Sequence, residues 1–273
     1  MRRGRAGRAL LHAGGALLLL LLLWPLVYAV WMSFSPDELL EPPTGAWSLR
    51  WYRQLLDSPL WMDALATSLR IAAWATALSV LAGGGVSLAL ARARFRGAGL
   101  LQLATALPLF VPAVVLGMGL LPFVRAVGLW GSDLSIAGAH ALWGLPVVVL
   151  VVRAALEEVD PDLERAARGL GASPWQAFRR VTLPLVLPAV AAGALMAAVL
   201  SLNEFVMALF LGTPETETLP RVIWPQLRYT LSPVVAAASG VSMLLTLLAL
   251  LVAASVGRLE AVVRWLGGRA RRR

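Results

Sequence analysis

The sequence predicts an all-α membrane protein with six transmembrane helices and both chain ends on the cytoplasmic side. Three observations predict it. The 273 residues are 59% apolar and 14% charged, where an average soluble domain is about 25% charged, and the mean hydropathy is +0.76. Six stretches reach the roughly 20 apolar residues that a spanning helix needs. Arginine is divided unequally between the segments that join them.

The first stretch runs from Leu10 to Trp31 and includes the unbroken run Leu17–Leu23. Arg2, Arg3, Arg5 and Arg8 precede it, as in a secretory signal. Yet the stretch is longer than the about 7–15 apolar residues of such a signal, and Trp31-Met32-Ser33-Phe34 is a poor cleavage site, so it reads as a retained helix. Residues 35–63 are rich in Pro, Trp and acids and read as an outer loop. Trp47, Trp51, Tyr52 and Trp61 would form its interfacial stretch. The second span covers Ser68 to Leu90. The third, Leu100 to Val124, is interrupted by Pro108, Pro112 and Pro122. The fourth covers Ser135 to Val152, the fifth Leu185 to Leu211 and the sixth Val234 to Val256. Proline and glycine are tolerated in spanning helices because neighbouring groups re-satisfy the freed backbone. Ala191, Ala192, Gly193 and Ala197 permit close helix approach on the fifth. The whole chain, 1–273, reads as one transmembrane domain.

Orientation follows from arginine. Eighteen of the 24 basic residues lie before the first span, in 92–99, in 153–184 and after Val256. By the positive-inside rule these segments are cytoplasmic. The net charge of +9 is thus an orientation signal, and no nucleic-acid partner is expected. The basic tail (Arg269, Arg271, Arg272, Arg273) suits anionic lipid headgroups.

Composition also excludes chemistry. There is no Lys and no Cys, and the histidines are His12 and His140. A P-loop lysine, a Schiff base, a thiol nucleophile and Cys-ligated metals are excluded. Little remains for a Ser-His-Asp triad. Neither enzymatic activity, a metal nor a bound cofactor is expected of this chain. Both histidines read as packed or interfacial.

The segment 160–184 carries two helix starts in succession. Asp160-Pro161 places a cap acceptor before a proline suited to the first helical position. Gly171 stands where a left-handed residue ends the helix. Ser173, Pro174 and Gln176 then form a capping box for a second helix, which Leu183-Pro184 closes. Trp175 and Phe178 share a face of it, with Arg179 and Arg180 on another. This helix–Gly–helix elbow presents the small residues Ala166, Ala167 and Gly171, then an aromatic pair, as a docking surface would. A plain connector between two spans is the competing reading.

The run Glu164-Arg165-Ala166-Ala167-Arg168-Gly169-Leu170-Gly171-Ala172-Ser173, followed by Val181-Thr182-Leu183-Pro184, resembles the EAA loop of membrane subunits of bacterial ABC importers. Arg165 stands where that family often has an acid. Pro108 to Gly117, and Ser201-Leu202-Asn203-Glu204-Phe205 with Thr218-Leu219-Pro220, resemble the spermidine/putrescine-type permease branch. The resemblance implies an ABC importer permease bundle in the bacterial cytoplasmic (inner) membrane. It implies a coupling loop at 160–184 made of Glu164, Ala166, Ala167, Gly171, Ala172, Ser173, Trp175 and Phe178. It also implies ATP-binding subunits that use the ATP, a second permease subunit (identical or not), and an extracytoplasmic binding protein. The missing lysine fits, since this chain carries no Walker A motif.

Glu204 lies in an apolar run, where an acid costs roughly 2.5–3.5 kcal/mol at a helix centre. With Asn203 it is the candidate substrate path for a small, polyamine-like cation. A structural ion pair, for instance with Arg70, or a place near the outer interface are the other readings. An ion-gradient-driven secondary transporter would also explain a membrane acid, but it does not need the elbow.

Overall fold

The computed structural model describes residues 3–38, 40–229 and 232–270, with side chains over 11–38, 40–229 and 232–255. The terminal arginines of the charge argument, including the basic tail, lie outside the described side chains. Among the described residues all regular structure is helical. The helices are α1 (Arg3–Met32), α2 (Arg50–Asp57), α3 (Pro59–Arg92), α4 (Ala98–Ala106), α5 (Ala113–Ala126), α6 (Asp133–Glu158), α7 (Pro161–Gly169), α8 (Pro174–Ala177), α9 (Leu183–Asn203), α10 (Val206–Leu211), α11 (Leu219–Tyr229) and α12 (Pro233–Ala270).

Five segments are long and apolar enough to cross a membrane: Leu11–Met32, Pro59–Arg92, Asp133–Glu158, Pro174–Asn203 and Pro233–Ser255. A sixth arises if Ala98–Phe110 and Ala113–Ala126 count as one span bent by 110°. The expected third span is therefore a broken pair. Val111, placed before Pro112, is driven out of the helical region to φ −94°, ψ 126°. Pro122, by contrast, is absorbed within α5.

The expected fifth span is corrected at both ends. It starts at Pro174, because the second elbow helix does not stop at Leu183-Pro184. A π turn over Phe178–Thr182 joins α8 to α9 without a break. Pro184 cannot donate to the carbonyl four residues back, and a widened turn just before it accommodates that loss. At the other end α9 stops at Asn203, and Leu211 belongs to a separate helix.

Contacts divide the chain into two compact units, Met1–Met62 with Val222–Met243 and Asp63–Arg221 with Leu244–Arg273. In the first, the residues of α1 from Leu11 to Val27 are exposed. A polar and aromatic knot follows that helix. Ser33 Oγ lies 2.7 Å from Tyr52 Oη, and Trp51 Nε1 donates to Ser35 O at 2.8 Å. Trp51 and Trp61 are buried in the protein while Trp47 is exposed, so the first two depart from the interfacial reading.

In the second unit α6 is packed between α3 and α9, and small residues set the spacing. A Cβ on Gly83 would lie 2.9 Å from Val148 Cγ1; one on Gly193 would lie 3.4 Å from Val148 Cα. A Cβ on Gly144 would strike Ser79 Oγ and approach Ala197 Cβ to 3.0 Å. A second core joins Ile71, Val124, Ile136, Met207 and Leu211, packing α5 and α10 together.

Candidate functional site

Two places in the second unit carry the sequence-predicted residues. The first is the elbow. Asp160 Oδ1 accepts from the Asp162 amide at 2.9 Å and opens α7. The helix closes with a Schellman pair, Ala172 N to Ala167 O at 3.1 Å and Gly171 N to Arg168 O at 3.0 Å. That geometry needs a left-handed residue, and Gly171 has φ +93°. The capping box is formed in both directions: Gln176 N donates to Ser173 Oγ at 3.2 Å, and Ser173 N donates to Gln176 Oε1 at 2.8 Å.

These turns leave one face open. Leu170 is 91% exposed and Trp175 66% exposed, beside exposed Ala166. The Trp175 and Phe178 rings stack at 5.7 Å. Ala167 and Ala172 are half-buried. Glu164 points elsewhere. Its Oε1 accepts from the hydroxyl of fully buried Thr182 and lies 3.7 Å from Arg92 Nη2 at the end of α3. Arg92 also donates to Val159 O at 3.4 Å. Arg165 pairs with Asp162 at 2.6 Å.

The second place is the break after α9. Glu204 is buried, with an extended backbone (φ −80°, ψ 125°) between α9 and Phe205. Its carboxylate accepts from the amides of Val206 and Met207 at 2.9 Å and of Ala208 at 3.2 Å. Three amides at the start of α10 thus find an acceptor that lipid cannot supply. His140 Nε2 lies 3.1 Å from Glu204 Oε2, at ion-pair distance but without hydrogen-bond alignment, and its Nδ1 is 2.8 Å from Ser201 Oγ. The considered partner Arg70 is engaged elsewhere, with Asp133 at 2.8 Å. Asn203 Nδ2 donates to Val199 O at 2.8 Å and Thr246 Oγ1 at 3.3 Å. Asn203, Glu204, Phe205 and Trp143 help line a cavity of about 310 Å³. Trp143 Nε1 donates to Pro108 O at 3.1 Å, tying α6 to the turn before the bend.

Residues 82–262 match the family of binding-protein-dependent transport system inner membrane components. The chain belongs to that family. The permease is 35% identical over 217 residues to the putrescine transport system permease protein PotI of Escherichia coli (strain K12), covering 77% of this chain and 76% of the relative. It is 30% identical over 209 residues to the spermidine/putrescine transport system permease protein PotC of the same strain, covering 77% and 79%. It is also 38% identical over 218 residues to the molybdenum transport system permease protein ModB of Mycobacterium bovis (strain ATCC BAA-935 / AF2122/97), covering 74% and 81%. Its fold resembles a bacterial ABC transporter involved in the import of alginate, at TM-score 0.68, 19% identity and 94% and 97% coverage. The all-α bundle, the inner-membrane location and the role as a transport component are thereby established.

The structure brings the expected elbow residues of the permease together, apart from Glu164, which faces inward. The elbow and the Asn203–Glu204 pair are distinct places. The sequence places Thr182 and Ser201 within motifs and gives His140 as packed or interfacial, but it pairs none of them with its partner and gives Arg92 no tertiary partner. Thr182 was visible in the loop motif, and His140 was visible as an imidazole in an apolar span. Their partners stand 18 and 64 positions away, and sequence spacing alone does not pair them. From α11, Arg221 donates back to Thr213 O in the turn after α10 at 3.0 Å. Burial lowers its guanidinium below its ordinary value, against the raising effect of Glu217.

Proposed function

We propose that the permease is the translocation subunit of an ATP-driven importer that moves a polyamine-like cation from the periplasmic side to the cytoplasm. The elbow is its coupling loop. Separate ATP-binding subunits grip the exposed face of Leu170 and Trp175 and hydrolyse the ATP, so this chain binds no cofactor. A second permease subunit, identical or not, completes the path. An extracytoplasmic binding protein delivers the solute, and both chain ends lie inside.

One observation carries the reading: an apolar, capped elbow left open in a member of a binding-protein-dependent family. A Leu and a Trp held outward on a rigid turn form the kind of anchor that a partner pocket takes. The choice of a cation has separate support. Two relatives are named for putrescine, and the cavity beside Asn203 is lined by a carboxylate and the ring of Trp143, with no Arg or Lys among the described residues that line it. A face of Trp attracts organic cations, while an oxyanion such as molybdate calls for donors. The Glu204 oxygens are occupied by amides, so Glu204 acts on a solute through its field and through the shape of the break. Contact falls to Asn203 and Trp143.

The test is uptake by proteoliposomes holding the permease, its ATP-binding and second permease subunits, and the binding protein. ATP-dependent accumulation of putrescine, untouched by an uncoupler, is expected. Accumulation that needs an ion gradient and no ATP refutes the reading, and accumulation of molybdate instead refutes the choice of solute.

A further inference from the structure

The elbow needs a way to pass movement into the bundle, and its backbone route is poorly suited to that. Between α8 and α9 lies the π turn Phe178–Thr182. A π turn is a local register defect and a common site of bending. If α7 and α8 were displaced, part of the displacement would be absorbed there before it reached α9. A second route bypasses the joint. Glu164, on α7, accepts from the hydroxyl of Thr182 at the far end of the π turn. The same carboxylate oxygen lies 3.7 Å from Arg92 Nη2, on the last residue of α3. Thr182 is fully buried, and Arg92 and Glu164 are largely covered.

From this geometry we infer that Glu164, Thr182 and Arg92 form a clasp that transmits displacement of the elbow to α9 and α3 together. The inference rests on the coupling role given to the elbow above. Apolar side chains can slide past one another. A hydrogen bond to a charged group is directional and about twice as strong as a neutral one, so it transmits a pull. The two helices it joins are those that flank α6, with Gly83 of α3 and Gly193 of α9 both against Val148. A clasped pull therefore shifts both walls of the α6 packing at once. The side chains of the clasp are positioning residues; none is assigned contact with solute or nucleotide.

The experiment uses the complete transporter in liposomes and reads putrescine taken up per ATP hydrolysed, a ratio that simple loss of folded protein does not move. Thr182→Val removes the hydroxyl at similar volume. It is expected to leave capture of the ATP-binding subunit intact and to lower the ratio about tenfold, the scale of one charge-assisted hydrogen bond. Thr182→Ser restores the ratio, and Thr182→Val with Glu164→Gln falls no lower than Thr182→Val alone. A wild-type ratio in Thr182→Val, a Ser variant as defective as Val, or losses that multiply in the double variant each overturn the clasp. If Thr182→Val is not recovered from membranes, Arg92→Gln gives the same reading of the ratio, with a fall expected and no change overturning it. A wild-type permease that captures no ATP-binding subunit overturns the coupling role and the clasp with it. Normal capture and coupling with an unchanged Thr182→Val ratio overturns the clasp alone.

Discussion

The elbow and the break after α9 use the same parts for opposite ends. Each joins two helices beside a carboxylate that has a basic neighbour. At the break, Glu204 is buried, caps three amides and has His140 at 3.1 Å. At the elbow, Glu164 accepts from one hydroxyl and has its arginine at 3.7 Å, beside an exposed apolar face. Many short bonds inside an apolar bundle fix a geometry. Fewer bonds beside an exposed face leave an element that a partner can move. The comparison teaches that position and number of partners, more than residue type, decide whether an acid here is scaffold or lever.

The sharpest way to break this contrast is to remove each acid or turn and compare stability with transport. Glu204→Leu leaves three buried amides without an acceptor and should cost about 3–5 kcal/mol, seen as a large fall in melting temperature in detergent; Glu204→Gln, which keeps an acceptor, should recover part of it. His140→Phe deletes the imidazole between Glu204 and Ser201 and should cost about 1–3 kcal/mol, again read by melting. At the elbow the order of effects reverses. Gly171→Leu strains a left-handed position by about 1–2 kcal/mol with little shift in melting, yet it should abolish co-purification of the ATP-binding subunit. Ser173→Ala removes one cap, about 1 kcal/mol, and should lower uptake modestly while leaving insertion unchanged. Equal melting losses at both places would erase the contrast.

Much of this is legible in the sequence. Spans follow from apolar runs, and the elbow follows from caps, because Asp160, Gly171, Ser173 and Gln176 act within a few residues of themselves. The bend at Pro112 was visible as a proline, though its angle was not, since packing against α6 and α10 sets it. The end of α9 was hidden. Leu200 to Leu211 is apolar enough to read as helix throughout, and the break exists because Glu204 turns back to cap α10. The direction of Glu164 was hidden for the same reason: Thr182 and Arg92 reach it through tertiary folding.

The central claim is that the exposed face of the elbow is gripped from the cytoplasm. The protein has no cysteine, so a single Trp175→Cys variant gives a clean site for a membrane-impermeant thiol reagent. The account predicts labelling in inside-out vesicles alone, and protection when the ATP-binding subunit is added back. Labelling from the periplasmic side, or an unchanged rate with that subunit bound, would contradict it.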